Sequence, residues 1–386
     1  MNDFVRKASY ASSGLWQGSS PRLGRVDIEL TERCNNACRH CYINLPSQDV
    51  EAQRSELSTE EVERFLRETA AAGALAVSFT GGEPLLRQDF ERLYLTARRL
   101  GLQVMIATNA VLITEGLADL FAHVPPLLPI RITVYGMSEE SYEAVSSVKG
   151  SYGRFLEGVA HLEERGVPIE LVGTALHQVS EEVTDLDAWA ADIVDAEGPP
   201  GLITFLYLRA HRDSCAKNDV IRGLRREPEE AIAFLSTHRP HYINGLREMC
   251  QRIMAPAGDV LFDCGAGHSV SLGASGFLHP CLSLHSPETS YDWRHGSLQE
   301  ALEDFFVRLR TRTATDPEYL LRCARCFLHG LCEQCPAWSW PEHGTLDTPV
   351  DYVCRVAHAQ ARRLGLLREG ERAWEIEAWK ERLQWM

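Results

Sequence analysis

Apolar and polar residues alternate with period two over Arg25-Val-Asp-Ile-Glu-Leu30, which predicts a strand with one buried face. Ser58-Thr-Glu-Glu61 is a capping box, and Val62, Phe65, Leu66 and Thr69 follow it at helical spacing. The run Leu75-Ala-Val-Ser-Phe-Thr80 reads as a buried strand entering Gly81-Gly82, and a helix from about Asp89 to Leu100 stops at Gly101. The same alternation continues through strand-like Gln103–Thr108, Ile130–Tyr135, Ile169–Thr174 and Leu202–Leu208. Helical stretches near Thr114–His123, Phe155–Arg165 and Glu181–Asp195 separate them. Repeated βα units imply a parallel sheet with right-handed crossovers, and six units fall short of a full eight-unit barrel. The expected fold class is therefore α/β, a partial (βα)6 TIM-type barrel, with a doubly wound sheet as the second choice.

Residues 211–258 read as a helical or irregular linker broken by Pro228 and Pro240. Beyond it, His268–Leu272, a Gly-rich turn at Gly273–Gly276, and Phe277–Pro280 predict a hairpin. The last stretch, 359–386, reads as an amphipathic helix with Trp374, Ile376, Trp379 and Trp385 as docking anchors, aromatics at helical spacing being mostly buried. The expected division is an N-terminal segment 1–24, a barrel 25–210, the linker 211–258, a cysteine-rich α+β extension 259–358, and the C-terminal helix 359–386.

Composition narrows the function classes. With 39 basic and 54 acidic residues, a net charge of −15, the chain lacks the cationic surplus that phosphate backbones require, so no nucleic acid is expected. No apolar run approaches the length needed to cross a bilayer and no signal peptide is visible, so a soluble, cytoplasmic protein without a membrane partner is expected. Twelve cysteines are many for such a chain, and in a reducing compartment clustered thiols point to metal or cluster ligands. Three lie at Cys34, Cys38 and Cys41 and seven between Cys264 and Cys354, while Cys215 and Cys250 stand apart and read as inert buried thiols.

Cys34, Cys38 and Cys41 occupy the loop after the first strand, where βα folds place their chemistry. Three thiolates form a soft cage for iron and leave the fourth iron of a four-iron cluster open. A zinc site made with His40 is the competing reading. The triplet in Thr31-Glu-Arg-Cys34-Asn-Asn-Ala-Cys38-Arg-His-Cys41-Tyr, followed by Thr80-Gly81-Gly82-Glu83-Pro84, resembles the radical S-adenosylmethionine (SAM) enzymes over residues 25–210. The resemblance implies that Cys34, Cys38 and Cys41 hold a 4Fe–4S cluster whose open iron chelates SAM. One electron from it cleaves the sulfonium to methionine and a 5′-deoxyadenosyl radical, which takes hydrogen from the substrate. It further implies SAM contacts at Gly81, Gly82, Glu83 and Pro84, with Glu83 and backbone carbonyls receiving the methionine ammonium. Thr108, Asn109 and Thr133 are candidates for the ribose or methionine, and Arg209 and His211 could touch ligand but fit surface roles better.

The later group, Cys264, Cys281, Cys323, Cys326, Cys332, Cys335 and Cys354, resembles the SPASM extension of that family. That likeness implies two auxiliary iron–sulfur clusters of 4Fe–4S type. Cys264, Cys281 and Cys335 would hold the inner one, and Cys323, Cys326, Cys332 and Cys354 the outer. The inner set has three thiolates, its fourth position open to substrate or filled by Cys250, Cys215 or another ligand. The Cys332-x2-Cys335 spacing departs from the usual pattern, and paired zinc ribbons are the competing reading of these pairs. Leu282 after Cys281 points away from sulfatase maturation, where an Asp stands there.

The resulting expectation is a maturase oxidising or cross-linking a ribosomally made precursor peptide. With residues 1–24 too few for a recognition domain, a separate leader-recognition protein could serve it. Flavodoxin or ferredoxin would be the electron donor. Oxidation or rearrangement of a sugar, cofactor or tetrapyrrole precursor is the alternative, and a non-catalytic iron–sulfur or zinc scaffold the third.

Overall fold

The computed structural model describes residues 23–176, 181–193, 199–208, 214–264 and 267–383. Arg209, His211, Trp385 and the side chain of Cys215 lie outside the described residues. The chain forms two compact units. The first comprises, of the described residues, those up to Thr204 and those within His211–Ile221 and Ala266–Val307. The second comprises those within Phe205–Ala210, Arg222–Gly265 and from Arg308 onward. Among the described residues no helix is long and apolar enough to cross a membrane.

The strands in chain order are β1 (Arg25–Thr31), β2 (Arg33–Cys34), β3 (Leu45–Pro46), β4 (Ala76–Gly81), β5 (Gln103–Thr108) and β6 (Ile130–Val134). They continue with β7 (Ile169–Thr174), β8 (Gly201–Ile203), β9 (Val270–Leu272), β10 (Phe277–His279) and β11 (Tyr291–Asp292). Nine of them form one sheet in the order β11-β10-β9-β1-β4-β5-β6-β7-β8, and β2 pairs with β3 alone. The six expected strands, β1 and β4 to β8, follow one another in parallel without reversal. A doubly wound sheet would reverse its order midway, so the arc is that of a partial barrel.

Alternation builds its two faces. Val26, Ile28 and Leu30 of β1 are buried, in register with Val77 and Phe79 of β4, while Asp27 pairs with Ser78 and Glu29 with Thr80 on the opposite, inner face. The predicted capping box is present: Ser58 accepts from Glu61 N–H and Glu61 accepts from Ser58 N–H, opening the helix Thr59–Ala71. That helix buries Val62, Phe65, Leu66 and Thr69.

Three expectations change, while the linker is helical, one of its two expected readings. The predicted hairpin exists, but β9 runs parallel to β1 and so extends the barrel sheet. It is fastened by Trp293, whose ring meets Phe65 edge-on at 5.2 Å and whose indole N–H donates to Glu68 at 2.9 Å. Residues 266–307 thus belong with the barrel and not with the other half of the extension. The linker 211–258 holds three helices, Ser214–Leu224, Pro228–His238 and Tyr242–Ile253. The last barrel strand stops at Ile203, because Phe205 and Tyr207 are apolar for a different reason: they pack in the second unit, Tyr207 stacking on Trp338 at 3.7 Å. No continuous helix spans 359–383. Asp351–Arg363 is the helix, and Gly365 and Gly370, at φ +78° and +77°, turn the chain away before the short helix Trp379–Leu383. Ile376 and Trp379 still dock on the second unit's core as expected.

Candidate functional site

β1 delivers its chain into the loop that carries the first cysteine triplet. Cys34 closes β2, and the β2–β3 pairing brings the chain back after Cys41. Ala37 and Arg39 N–H donate to the carbonyls of Ser146 and Val145 at 2.9 and 3.3 Å, tying the loop to the end of the helix Glu139–Ser146. Below it, Arg33 and Glu56 form a buried two-pronged pair at 2.8 and 3.1 Å, and Thr31 donates its hydroxyl to Glu56 at 2.5 Å. Lys217 reaches the Asn44 carbonyl at 3.0 Å, and Asn44 donates to the Cys38 carbonyl at 3.1 Å.

Cys34 and Cys38 are buried, Cys41 is half-buried, and all three are free thiols. Burial, then the nearby Glu83 carboxylate, raises the Cys34 thiol above its ordinary range, and burial with the Cys41 sulfur pushes Cys38 up to about 12. Three thiols gathered in a dry pocket resist ionising until a cation joins them, and metal coordination supplies one. The loop also holds polar atoms the protein leaves unsatisfied: both amide atoms of Asn36, Asn35 Nδ2 and His40 Nδ1. This donor set fits an iron–sulfur cluster. His40 leans on Tyr135, ring centroids 5.9 Å apart, with Nε2 3.4 Å from Thr174 Oγ1.

The Gly-Gly-Glu-Pro stretch lies beside this loop and is packed against it. A Cβ on Gly81 or Gly82 would collide with the Thr31 or Arg33 carbonyl, so the glycines admit neighbouring backbone of this same chain. Gly82 N–H donates to Thr31 O at 2.7 Å and Glu83 N–H to Arg33 O at 2.9 Å, which fixes the motif to the start of the cysteine loop. Glu83 is fully buried and accepts from Leu85 N–H, Thr108 Oγ1 and Asn109 N–H at 3.1, 2.8 and 2.9 Å. Its carboxylate ties β4 to β5 rather than standing out toward a ligand. Pro84 opens the turn that follows. Asn109 donates from Nδ2 to Asn35 Oδ1 at 2.8 Å and lies 3.8 Å from the Cys34 sulfur. Thr133 sits half-buried on β6, opposite Val172, outside this network.

Sequence reasoning did not single out Tyr135, whose hydroxyl hydrogen-bonds Cys38; an aromatic ending the fourth barrel strand was the available signal. It also passed over the inner face. Asp27 shares that face with Ser271 and His279 by register, and Glu29 lies 4.0 Å from His285 Nε2. His285 stacks on His279 at 3.9 Å and hydrogen-bonds the Leu282 carbonyl at 3.0 Å, while His279 Nδ1 meets Ser290 at 2.8 Å. Burial raises the Asp27 carboxyl above its ordinary value, opposed by Arg25 and Ser78. The arginines of the face are engaged, Arg25 with Asp27 at 3.4 Å and Arg131 with Glu170 at 2.9 Å.

In the second unit, Cys323, Cys326, Cys332 and Cys354 line one cavity, with Tyr319, Arg322, His329, Gln334, His358 and Trp374. Burial pushes Cys323 up to about 12 and Cys326 up to about 11. Among the described residues no group of three or more His, Cys, Asp or Glu side chains is arranged to hold a single metal ion. Cys335 caps the helix Pro336–His343 and does not line this cavity. Cys250 is sealed in the core with Leu246, Met254 and Phe327, as an inert thiol would be.

Residues 28–189 match the Radical SAM superfamily. Over that stretch the chain is similar to a radical SAM domain. That family implies a 4Fe–4S cluster and SAM. The Fe-coproporphyrin III synthase of Methanosarcina barkeri is 30% identical over 56% of this chain and 52% of its own, so the chain spans about half the length of that relative. The AdoMet-dependent heme synthase of the same organism is 25% identical over 84% of this chain and 94% of its own. The PqqA peptide cyclase of Xanthomonas oryzae is 27% identical over 87% and 89%. Among solved structures, Streptococcus suis SuiB bound to its precursor peptide SuiA superposes with a TM-score of 0.59 at 16% identity, over 82% of this chain and 72% of that one. The chain therefore shares its fold with that peptide-bound protein.

Proposed function

We propose that the protein is a radical SAM maturase that oxidises a ribosomally made precursor peptide, giving a cross-link or another side-chain or backbone modification. The observation that carries this reading is the charge of the barrel's inner face. Glu29 is buried and Asp27 half-buried there, and Arg25 and Arg131 are already paired with carboxylates of the chain itself. A tetrapyrrole precursor bearing several carboxylates would need cations to meet them. A peptide backbone or a neutral or cationic side chain suits hydrogen-bonding carboxylates and imidazoles instead. Similarity to a peptide cyclase along 87% of the chain supports the same reading.

In this proposal Cys34, Cys38 and Cys41 hold the SAM-binding cluster, and Gly81, Gly82, Glu83, Pro84, Thr108, Asn109 and Thr133 shape the SAM site. Cluster and SAM together supply a 5′-deoxyadenosyl radical that abstracts hydrogen. Glu83 and Asn109 would hold the strand ends in register, Tyr135 would steady Cys38, and Glu29 with His285 would accept a proton from the substrate. Cys323, Cys326, Cys332 and Cys354 hold an outer auxiliary cluster; Cys264, Cys281 and Cys335 are assigned to an inner one by resemblance. The electron donor would be a flavodoxin or ferredoxin, and leader recognition would fall to a separate protein.

A second reading, oxidation of a tetrapyrrole precursor, is favoured by the heme synthase likeness over 94% of that relative. Anaerobic co-expression with short peptides encoded beside the gene, followed by mass measurement, tests the choice. A loss of two hydrogens per modification is expected. Unchanged peptides together with turnover of an iron-bound coproporphyrin would overturn the peptide reading.

A further inference from the structure

The four-thiol cavity of the second unit has one wall that the cluster assignment does not use. Arg322 immediately precedes Cys323, at the end of the helix Pro317–Leu321. Its guanidinium is held on three sides: it donates to Glu318 at 2.6 Å and to Asp351 at 3.2 Å, and it lies 5.0 Å from the Trp374 ring centroid. The side chain is 18% exposed, whereas Glu318 and Asp351 are 57% and 83% exposed. Arg322 lines the same cavity as Cys354, and its Nε–H is buried without a partner. A buried N–H left unpaired is costly, so the site wants one more acceptor than the protein provides.

Other groups around the cavity do not offer a fixed positive charge. His358 Nε2 accepts from Ala373 N–H at 3.2 Å, so the proton sits on Nδ1, which donates to the Cys354 carbonyl at 2.8 Å. That arrangement holds a neutral ring. The charge on Arg322 is permanent.

We propose that Arg322 sets the reduction potential of the cluster held by Cys323, Cys326, Cys332 and Cys354, by presenting a fixed, desolvated guanidinium to its sulfurs. The proposal rests on the reading that this cavity holds an iron–sulfur cluster. Reduction adds one negative charge to a group already rich in thiolates and sulfides, and hydrogen bonds and positive charge at the sulfurs favour that reduced form. Glu318 and Asp351 counter the cation only weakly, because water screens them more than it screens the arginine. Removing Arg322 deletes a donor and a charge, and it leaves those two carboxylates unopposed. Every one of these changes disfavours reduction.

The test uses the full-length chain, reconstituted anaerobically with ferrous iron and sulfide and titrated with reductant under electron paramagnetic resonance. Cys354→Ala identifies which signal belongs to this cavity. Arg322→Gln should keep the iron and shift that signal about tenfold toward the oxidised form, about 59 mV more negative, while the other signals stay in place. Arg322→Lys, which keeps the charge but loses the planar fork, should fall between. An unchanged midpoint with full iron in Arg322→Gln overturns the proposal. So does loss of iron in both variants, which would make the residue a structural support. If Cys354→Ala leaves iron content and every signal unaltered, it is the cluster reading of the cavity that fails.

Discussion

At residue scale, the motif beside the cysteine loop is a packing device before it is a ligand surface. Gly82→Ala should destabilise by about 2–4 kcal/mol, because the new Cβ meets the Arg33 carbonyl, which cannot step aside. Gly153→Ala is the control: it stands in the helix Ser151–Glu163 with open space at its Cβ, so it should be neutral or stabilise by up to about 1 kcal/mol. Denaturant midpoints of the two variants check the contrast. Glu83 adds a pH signature. Burial pushes its carboxyl up to about 7 from an ordinary 4.5, only partly offset by its three donors. The folded state therefore holds a proton that the unfolded state has released between pH 4.5 and 7. Its favourable contribution is complete below 4.5 and is lost as pH rises through 7. In Glu83→Gln the melting temperature of the metal-free protein should fall less steeply across that window than in the parent. A parallel slope in both proteins would refute it.

At element scale, the loop holding Cys34, Cys38 and Cys41 is shaped from below by the Arg33–Glu56 pair. Both side chains are about nine-tenths buried, at 10% and 9% exposure. Glu56→Ala strands a buried guanidinium, and the expected cost is about 3–5 kcal/mol. Thermal unfolding should show the loss, and reconstitution should load less iron. Elements were legible where one cause dominated the pattern. Gln103–Thr108 and Ile169–Thr174 match their predicted bounds because alternation and flanking turns agree there. The stretch after Ile203 misled because apolar residues look alike whether a sheet or another unit buries them. Likewise 359–383 carries helical spacing, while backbone turns at Gly365 and Gly370 override it. The cysteine positions were the signal from which cluster chemistry is proposed. The real partners of Glu83, and the inner-face group of Asp27, Glu29 and His285, depend on strand register, which spacing along one chain does not encode.

At the scale of the whole molecule, Cys34, Cys38 and Cys41 belong to the first unit and Cys323, Cys326, Cys332 and Cys354 to the second, and these two sets should load independently. Cys323→Ala with Cys326→Ala should remove about four irons per chain, the complement of one such cluster, and leave the SAM-binding centre spectroscopically intact. Loss of both centres together would mean the thiols do not act as separate sets. The central claim is that Cys34, Cys38 and Cys41 carry an iron–sulfur centre able to reduce SAM. Incubating the anaerobically reconstituted protein with SAM and a strong one-electron reductant, and assaying 5′-deoxyadenosine, tests it most directly. The account predicts 5′-deoxyadenosine and methionine in equal amounts from the parent and none from Cys38→Ala. Zinc in place of iron and sulfide, or equal 5′-deoxyadenosine from both proteins, would contradict it.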